Sequence, residues 1–137
     1  MSGKQKKTQI TGNVGLYFVC YKLSKMGWNV MPTARNAKGV DIIAYNSHMT
    51  RMISIQVKAL STETSVLVSN KAENITGDFW IIVNNVKKES RSFILLPSEV
   101  KSRLSYGTGK SGKVTCWLPL KKYVEFEDRW DRIGYAE

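Results

Sequence analysis

Between residues 11 and 26 the apolar side chains of Leu16, Val19, Cys20, Leu23 and Met26 recur at a spacing that puts them on one stripe of a helix. Gly27 is a natural stop for it. Residues 28–33 then predict a short strand that Pro32 edges or ends, 40–45 a second strand and 51–60 a third, with turn-rich segments at 34–39 and 46–50 between them. Together they predict a three-stranded meander packed by the preceding helix. Further on, a short strand at 66–68 and a helical turn or helix near 70–74 are expected. The run Phe79-Trp80-Ile81-Ile82-Val83-Asn84 has the unbroken apolar character of a buried central strand, and 92–96 predicts its neighbour. Pro97-Ser98-Glu99-Val100 opens a helix through about Leu104, with Pro early as helix starts prefer. The glycine-rich stretch 106–112 reads as a loop, 113–118 as a last strand, and 121–133 as a terminal helix that packs Tyr123, Phe126 and Trp130 on the body. The class implied is α/β.

The chain has 137 residues, 42% of them hydrophobic, enough for one core and too few for two. We therefore expect a basic N-terminal arm over 1–10 and a single domain over 11–137. Lysine and arginine number 21 against 11 acids, a formal charge of +10 that points to a polyanionic partner. The basic residues recur along the whole chain, as on a folded basic surface. Cys20 and Cys116 lack metal-ligand spacing and His48 is the sole histidine, which sets aside a disulfide framework, a His/Cys metal site and Ser/His or Cys/His catalysis. No apolar run approaches the roughly 20 residues of a membrane span, and no hydrophobic signal core opens the chain. A cytoplasmic protein is expected.

In the stretch Ile53-Ser54-Ile55-Gln56-Val57-Lys58-Ala59-Leu60, strand alternation sets Gln56 and Lys58 on one face, about 7 Å apart. Alternation of that kind is also what a half-solvated antiparallel strand shows. Asp41 gives the polar face a second meaning, because a carboxylate at the head of an apolar strand needs a partner. The adjoining strand can supply one in Gln56 and Lys58. An acid, a neutral oxygen ligand and a lysine suit a hard cation and a water, the requirement for metal-assisted phosphodiester hydrolysis.

A helix, then Gly39-Val40-Asp41, then Ile55-Gln56-Val57-Lys58 resembles the PD-(D/E)XK nuclease superfamily in its D...QxK form, similar to Mrr-type restriction endonucleases and archaeal-type Holliday junction resolvases. The resemblance covers residues 11–60, with 79–96 fitting the later core strand and its neighbour. It implies a restriction-endonuclease-like αβββαβ core, a mixed central sheet flanked by helices, and a metal-dependent DNA endonuclease of restriction or junction-resolving type. By resemblance Asp41 is the metal-binding acid, Gln56 the second side-chain ligand, the carbonyl of Val57 a further ligand, and Lys58 the group that handles the attacking water and the charge on the phosphorane. The implied cofactor is Mg²⁺, replaceable by Mn²⁺, and the implied partners are duplex or branched DNA and a second copy of the chain in a homodimer. Related sequences carry a helical glutamate in a pattern like G-x-x-G-E, where this chain has Gly12-Asn13-Val14-Gly15-Leu16. Leu16 reads as core. Either another acid, such as Glu63, Glu73 or Asp78, replaces that glutamate, or the site is weak, or the fold is a catalytically inactive module that binds DNA or a partner.

Arg35 and Lys38, in the turn before Asp41, are the candidate contacts to the DNA backbone. Gly109-Lys110-Ser111 resembles the end of a P-loop but fails the motif, because position 104 is Leu104. Its glycine amides and Lys110 still suit a phosphate contact. Of the tryptophans, Trp80 and Trp28 fall in apolar runs and read as core.

Overall fold

A computed structural model of the chain describes residues 3–34, 39–68 and 72–137. Helix α1 (Gly3–Lys25) is followed by strands β1 (Asn29–Pro32), β2 (Ile42–Tyr45) and β3 (Met52–Ala59). Next come β4 (Val66–Val68), a 3-10 turn at Ala72–Asn74, β5 (Phe79–Asn84) and β6 (Arg91–Leu95). The chain ends with α2 (Pro97–Ser102), β7 (Ser105–Thr108), β8 (Val114–Leu118), α3 (Leu120–Tyr123) and 3-10 turns at Val124–Phe126 and Trp130–Arg132. Five strands form one mixed sheet in the order β1-β2-β3-β5-β6, and three form a second in the order β4-β8-β7. In the larger sheet β3 and β5 run parallel and the other neighbours antiparallel. No described helix is long and apolar enough to cross a membrane.

The two faces of the five-stranded sheet are filled differently. One is aliphatic, with Ile42, Ala44, Ile55, Ile81, Val83 and Ile94 meeting Val19, Cys20 and Leu23 of α1. Leu16 is half-buried in that cluster, as its place on the stripe predicts. The other is more aromatic, with Trp80, Ile82, Phe93 and Leu95 under Val66, Val68, Cys116, Leu118, Tyr123 and Phe126. Phe93 and Tyr123 meet edge to face with ring centroids 4.8 Å apart. Strand β5 is buried on both faces along almost its whole length, the central strand that its composition predicts. Each fully buried isoleucine there contributes roughly 1.5–3 kcal/mol.

Four expectations change. The arm expected over 1–10 joins α1 from Gly3 onward, because Lys and Gln are good helix formers and no proline interrupts them. The periodicity marks only the part of the helix that packs. The loop expected at 106–112 is in part strand β7, where Gly107 lets the Trp117 ring lie against the backbone; a Cβ there would sit 3.1 Å from it. The terminal helix expected at 121–133 is broken after α3. Asp128 adopts φ 55° and its amide donates to the Ser92 carbonyl at 2.9 Å, while Arg91 bonds the Glu127 carboxylate at 2.6 and 2.7 Å, so tertiary partners override the helical pattern. Tyr123 and Phe126 are nevertheless buried, and Trp130 half-buried, on the body. Within the described residues the β3 to β5 crossover contains β4 and the 3-10 turn and no α-helix, where the αβββαβ resemblance implies one.

Helix α1 and strand β3 touch at Gly15. A Cβ at this position would lie 2.5 Å from the Ala59 Cβ and 3.4 Å from its Cα, atoms that cannot swing aside. Gly15→Ala is expected to lower stability by about 1–3 kcal/mol, read as a fall in the denaturant midpoint. An unchanged midpoint would contradict the close crossing. A second expectation concerns acid. The Arg91 hydrogen bonds hold the Glu127 carboxyl below the usual carboxylate range. Its contribution is therefore full above the ordinary glutamate pKa and disappears as pH falls through the lowered value. Glu127→Gln should lower the melting temperature at neutral and alkaline pH and flatten its fall towards acid, where the two proteins converge.

Candidate active site

Asp41 sits at the mouth of β2. Gly39, at φ 73°, turns the chain into it, and a Cβ there would meet the Thr76 hydroxyl at 3.0 Å. The Asp41 amide donates to the Ile55 carbonyl at 2.9 Å and its carbonyl accepts from the Thr33 amide at 2.9 Å, so the residue continues the ladders on either side of β2. Its carboxylate Oδ2 accepts the Val57 N–H at 2.7 Å. The backbone and side chain of Asp41 are thus both tied to β3.

Register decides what stands beside it. Ile42 pairs with Ile55, both facing α1, while Asp41, just before the paired strand, turns its N–H and C=O to opposite sides and so stands outside the regular alternation, reaching β3 through the Val57 N–H. Across β3, Gln56 pairs with Trp80 and Lys58 with Ile82, again on the face away from α1. Gln56 and Trp80 are partners across two strands, Lys58 stands one place along the same face, and the Asp41 carboxylate is tied to Val57 between them. The Trp80 indole N–H donates to Gln56 Oε1 at 2.7 Å, and Lys58 Nζ lies 5.9 Å from the centroid of the same indole. Trp80 itself is fully buried, while Gln56 and Lys58 are half-buried. The N–H and C=O of one strand residue point to the same side. The Val57 carbonyl therefore faces the Asp41 side, beyond the end of β2.

These groups fit a hard cation in kind. Asp41 Oδ1, a lone pair of Gln56 Oε1 and the Val57 carbonyl are all oxygen donors, the ligand type that such an ion takes. Only one of them is charged. Of the other acids considered, Glu63 is bonded to Arg91 at 2.6 Å, and the Glu73 side chain lies outside the described residues. Asp78 accepts from the Ser54 amide at 2.8 Å, two places before Gln56 on the same face of β3. Among the described residues no group of three or more His, Cys, Asp or Glu is placed to hold a metal ion. Leu16 supplies no ligand.

Arg35 and Lys38 lie outside the described residues. Lys110 is exposed in the β7–β8 turn of the second sheet, whereas Gln56 and Lys58 are on β3 of the first. The tryptophans pack: Trp28 is buried under Arg51 and donates to the Gly134 carbonyl at 2.9 Å, and Trp130 donates to Ser92 Oγ at 3.0 Å. Sequence reasoning missed the second role of Trp80. Its contact with Gln56 depends on parallel pairing between strands 24 residues apart, which no local pattern encodes. Comparison with family models, curated proteins and solved structures finds no match.

Gln56 is the acceptor for a buried donor, which gives it a measurable structural share. Gln56→Leu strands the Trp80 N–H and should lower stability by about 1–3 kcal/mol, whereas Gln56→Glu keeps the acceptor. Denaturant unfolding separates the two, and in proton NMR the indole N–H should exchange faster with solvent in the leucine variant only.

Proposed function

We propose that the chain is a metal-dependent DNA endonuclease of restriction or junction-resolving type, with a core like that of the PD-(D/E)XK nucleases. The observation that carries this is that the Asp41 carboxylate bonds the Val57 N–H of β3, flanked by Gln56, which accepts from the Trp80 indole, and Lys58, which lies over the same indole. The order helix, antiparallel meander, crossover and parallel strand supports the same reading. Charge supports the partner: among the described residues the ion pairs are made by Arg91, Arg103, Arg129 and Arg132, so the lysines, with Arg51, carry the uncompensated excess.

Asp41 Oδ1, Gln56 Oε1 and the Val57 carbonyl would hold Mg²⁺ or Mn²⁺ against a phosphate oxygen of the substrate. The ion, when bound, offsets phosphate charge and makes a bound water more acidic. Lys58 positions the attacking water and donates to the oxygen on which negative charge accumulates. Trp80 fixes which face of Gln56 is turned to the site and limits where the Lys58 ammonium rests. Cutting both strands of a duplex calls for two such sites, hence a homodimer.

A second reading, a nuclease-like fold that binds DNA or a partner without cutting, is favoured by one observation: Leu16 belongs to the core and leaves Asp41 the sole carboxylate among the proposed ligands. The purified chain, incubated with supercoiled plasmid, linear duplex and a four-way junction in Mg²⁺ or Mn²⁺, distinguishes the two. The endonuclease reading expects cleavage that Asp41→Ala abolishes and Lys58→Ala slows by about 10²-fold or more. Wild type as inert as the variants, with salt-sensitive duplex binding retained, gives the second reading. Loss of that binding as well would overturn both.

A further inference from the structure

Helix α1 carries two apolar stripes. The first, through Val19, Cys20 and Leu23, packs on the sheet. The second consists of Ile10, Val14, Tyr17 and Tyr21, which are 54%, 39%, 63% and 59% exposed. Their spacing of four, three and four is the a/d repeat of a seam between helices. With 3.6 residues per turn the four fall within about 60° of one another and extend for about 16 Å. A helix that buries a whole side in a core or at a lipid surface shows an apolar face of roughly 100° or more. This narrow stripe fits another helix.

Charge selects the kind of helix. Lys7 continues the seam at one end, and at the other Lys25 Nζ lies 5.3 Å from the Tyr21 ring. Lys22 Nζ lies 5.6 Å from the Phe18 ring beside the seam. Helix α1 contains no acid, and the first acid of the chain is Asp41. Two copies of α1 joined antiparallel would bring Lys7 of one against the Lys25 end of the other, with no carboxylate to offset them.

We propose that α1 docks a helix of an acidic partner protein, one with aliphatic residues at its own a and d positions and Glu or Asp flanking them. The surface is distinct from the candidate active site, since α1 packs on one face of the sheet and Gln56, Lys58 and Trp80 lie on the other. It therefore stands whether or not the chain cuts DNA.

The test titrates the full chain into a fluorescein-labelled synthetic helix of several heptads with leucine at a and d and glutamate at e and g, read by fluorescence anisotropy. Binding is expected. The double variant Tyr17→Ser, Tyr21→Ser should weaken it by at least about tenfold while its melting temperature stays that of the wild type, because both side chains are exposed. A twin helix with lysine at e and g should not bind. The proposal is overturned if the glutamate helix fails to bind or the lysine twin binds equally. It is also overturned if light scattering finds a dimer that the double variant loses. The same holds if the wild type prefers phosphatidylserine vesicles or a single-stranded oligonucleotide to the glutamate helix and the double variant loses that preference.

Discussion

The parallel ladder between β3 and β5 is the constraint from which the rest of the molecule follows. Parallel neighbours cannot be joined by a tight turn, so the chain must leave the sheet after Ala59 and return at Phe79. That excursion lays β4 on the far face, where β8 pairs with it and β7 with β8, and residues of β4 and β8 cover Trp80 and Ile82. The same ladder sets Gln56 opposite Trp80, which brings the indole N–H within bonding distance of the amide oxygen. Architecture and site thus share one register. A slip of one residue would turn Gln56 and Lys58 into the aliphatic layer against α1.

Polar groups are distributed with similar economy. Arginines hold the C-terminal segment: Arg91 bridges Glu63 and Glu127, Arg132 reaches Glu99, and Arg103 meets Glu125. The Tyr123 hydroxyl, raised in pKa chiefly by burial, donates to the Thr64 carbonyl at 2.6 Å and accepts from Asn84 at 3.2 Å. It links the end of β5 to the segment before β4. Burial likewise raises both cysteine thiols, in keeping with packing roles for Cys20 and Cys116.

The first half of the molecule was largely legible in the sequence, because each strand there ends at a turn signal and alternates or runs apolar in its own right. Leu16 was readable as core from its stripe alone, and Asp41 stood out as a charge at the head of an apolar strand. Alternation also put Gln56 and Lys58 on one face. What remained hidden depends on distant partners. Ser105-Tyr106-Gly107-Thr108 is a strand because Trp117 covers Gly107, and Asp128 breaks a helical pattern because Ser92 and Arg91 bond that stretch of chain. The indole that steadies Gln56 was visible as a buried tryptophan and invisible as a neighbour.

The crossing of α1 over β3 at Gly15 also governs which motions the molecule can make. Packed helices commonly adjust by sliding a little along a sheet, the shear mechanism of domain movement. Here the Ala59 methyl sits in the notch left by the missing side chain. A one-turn slide would bring Thr11 or Val19 to the same place, and both carry branched side chains where the notch admits none. The close fit at Gly15 therefore opposes a slide of α1 by four residues along the strand that bears Gln56 and Lys58.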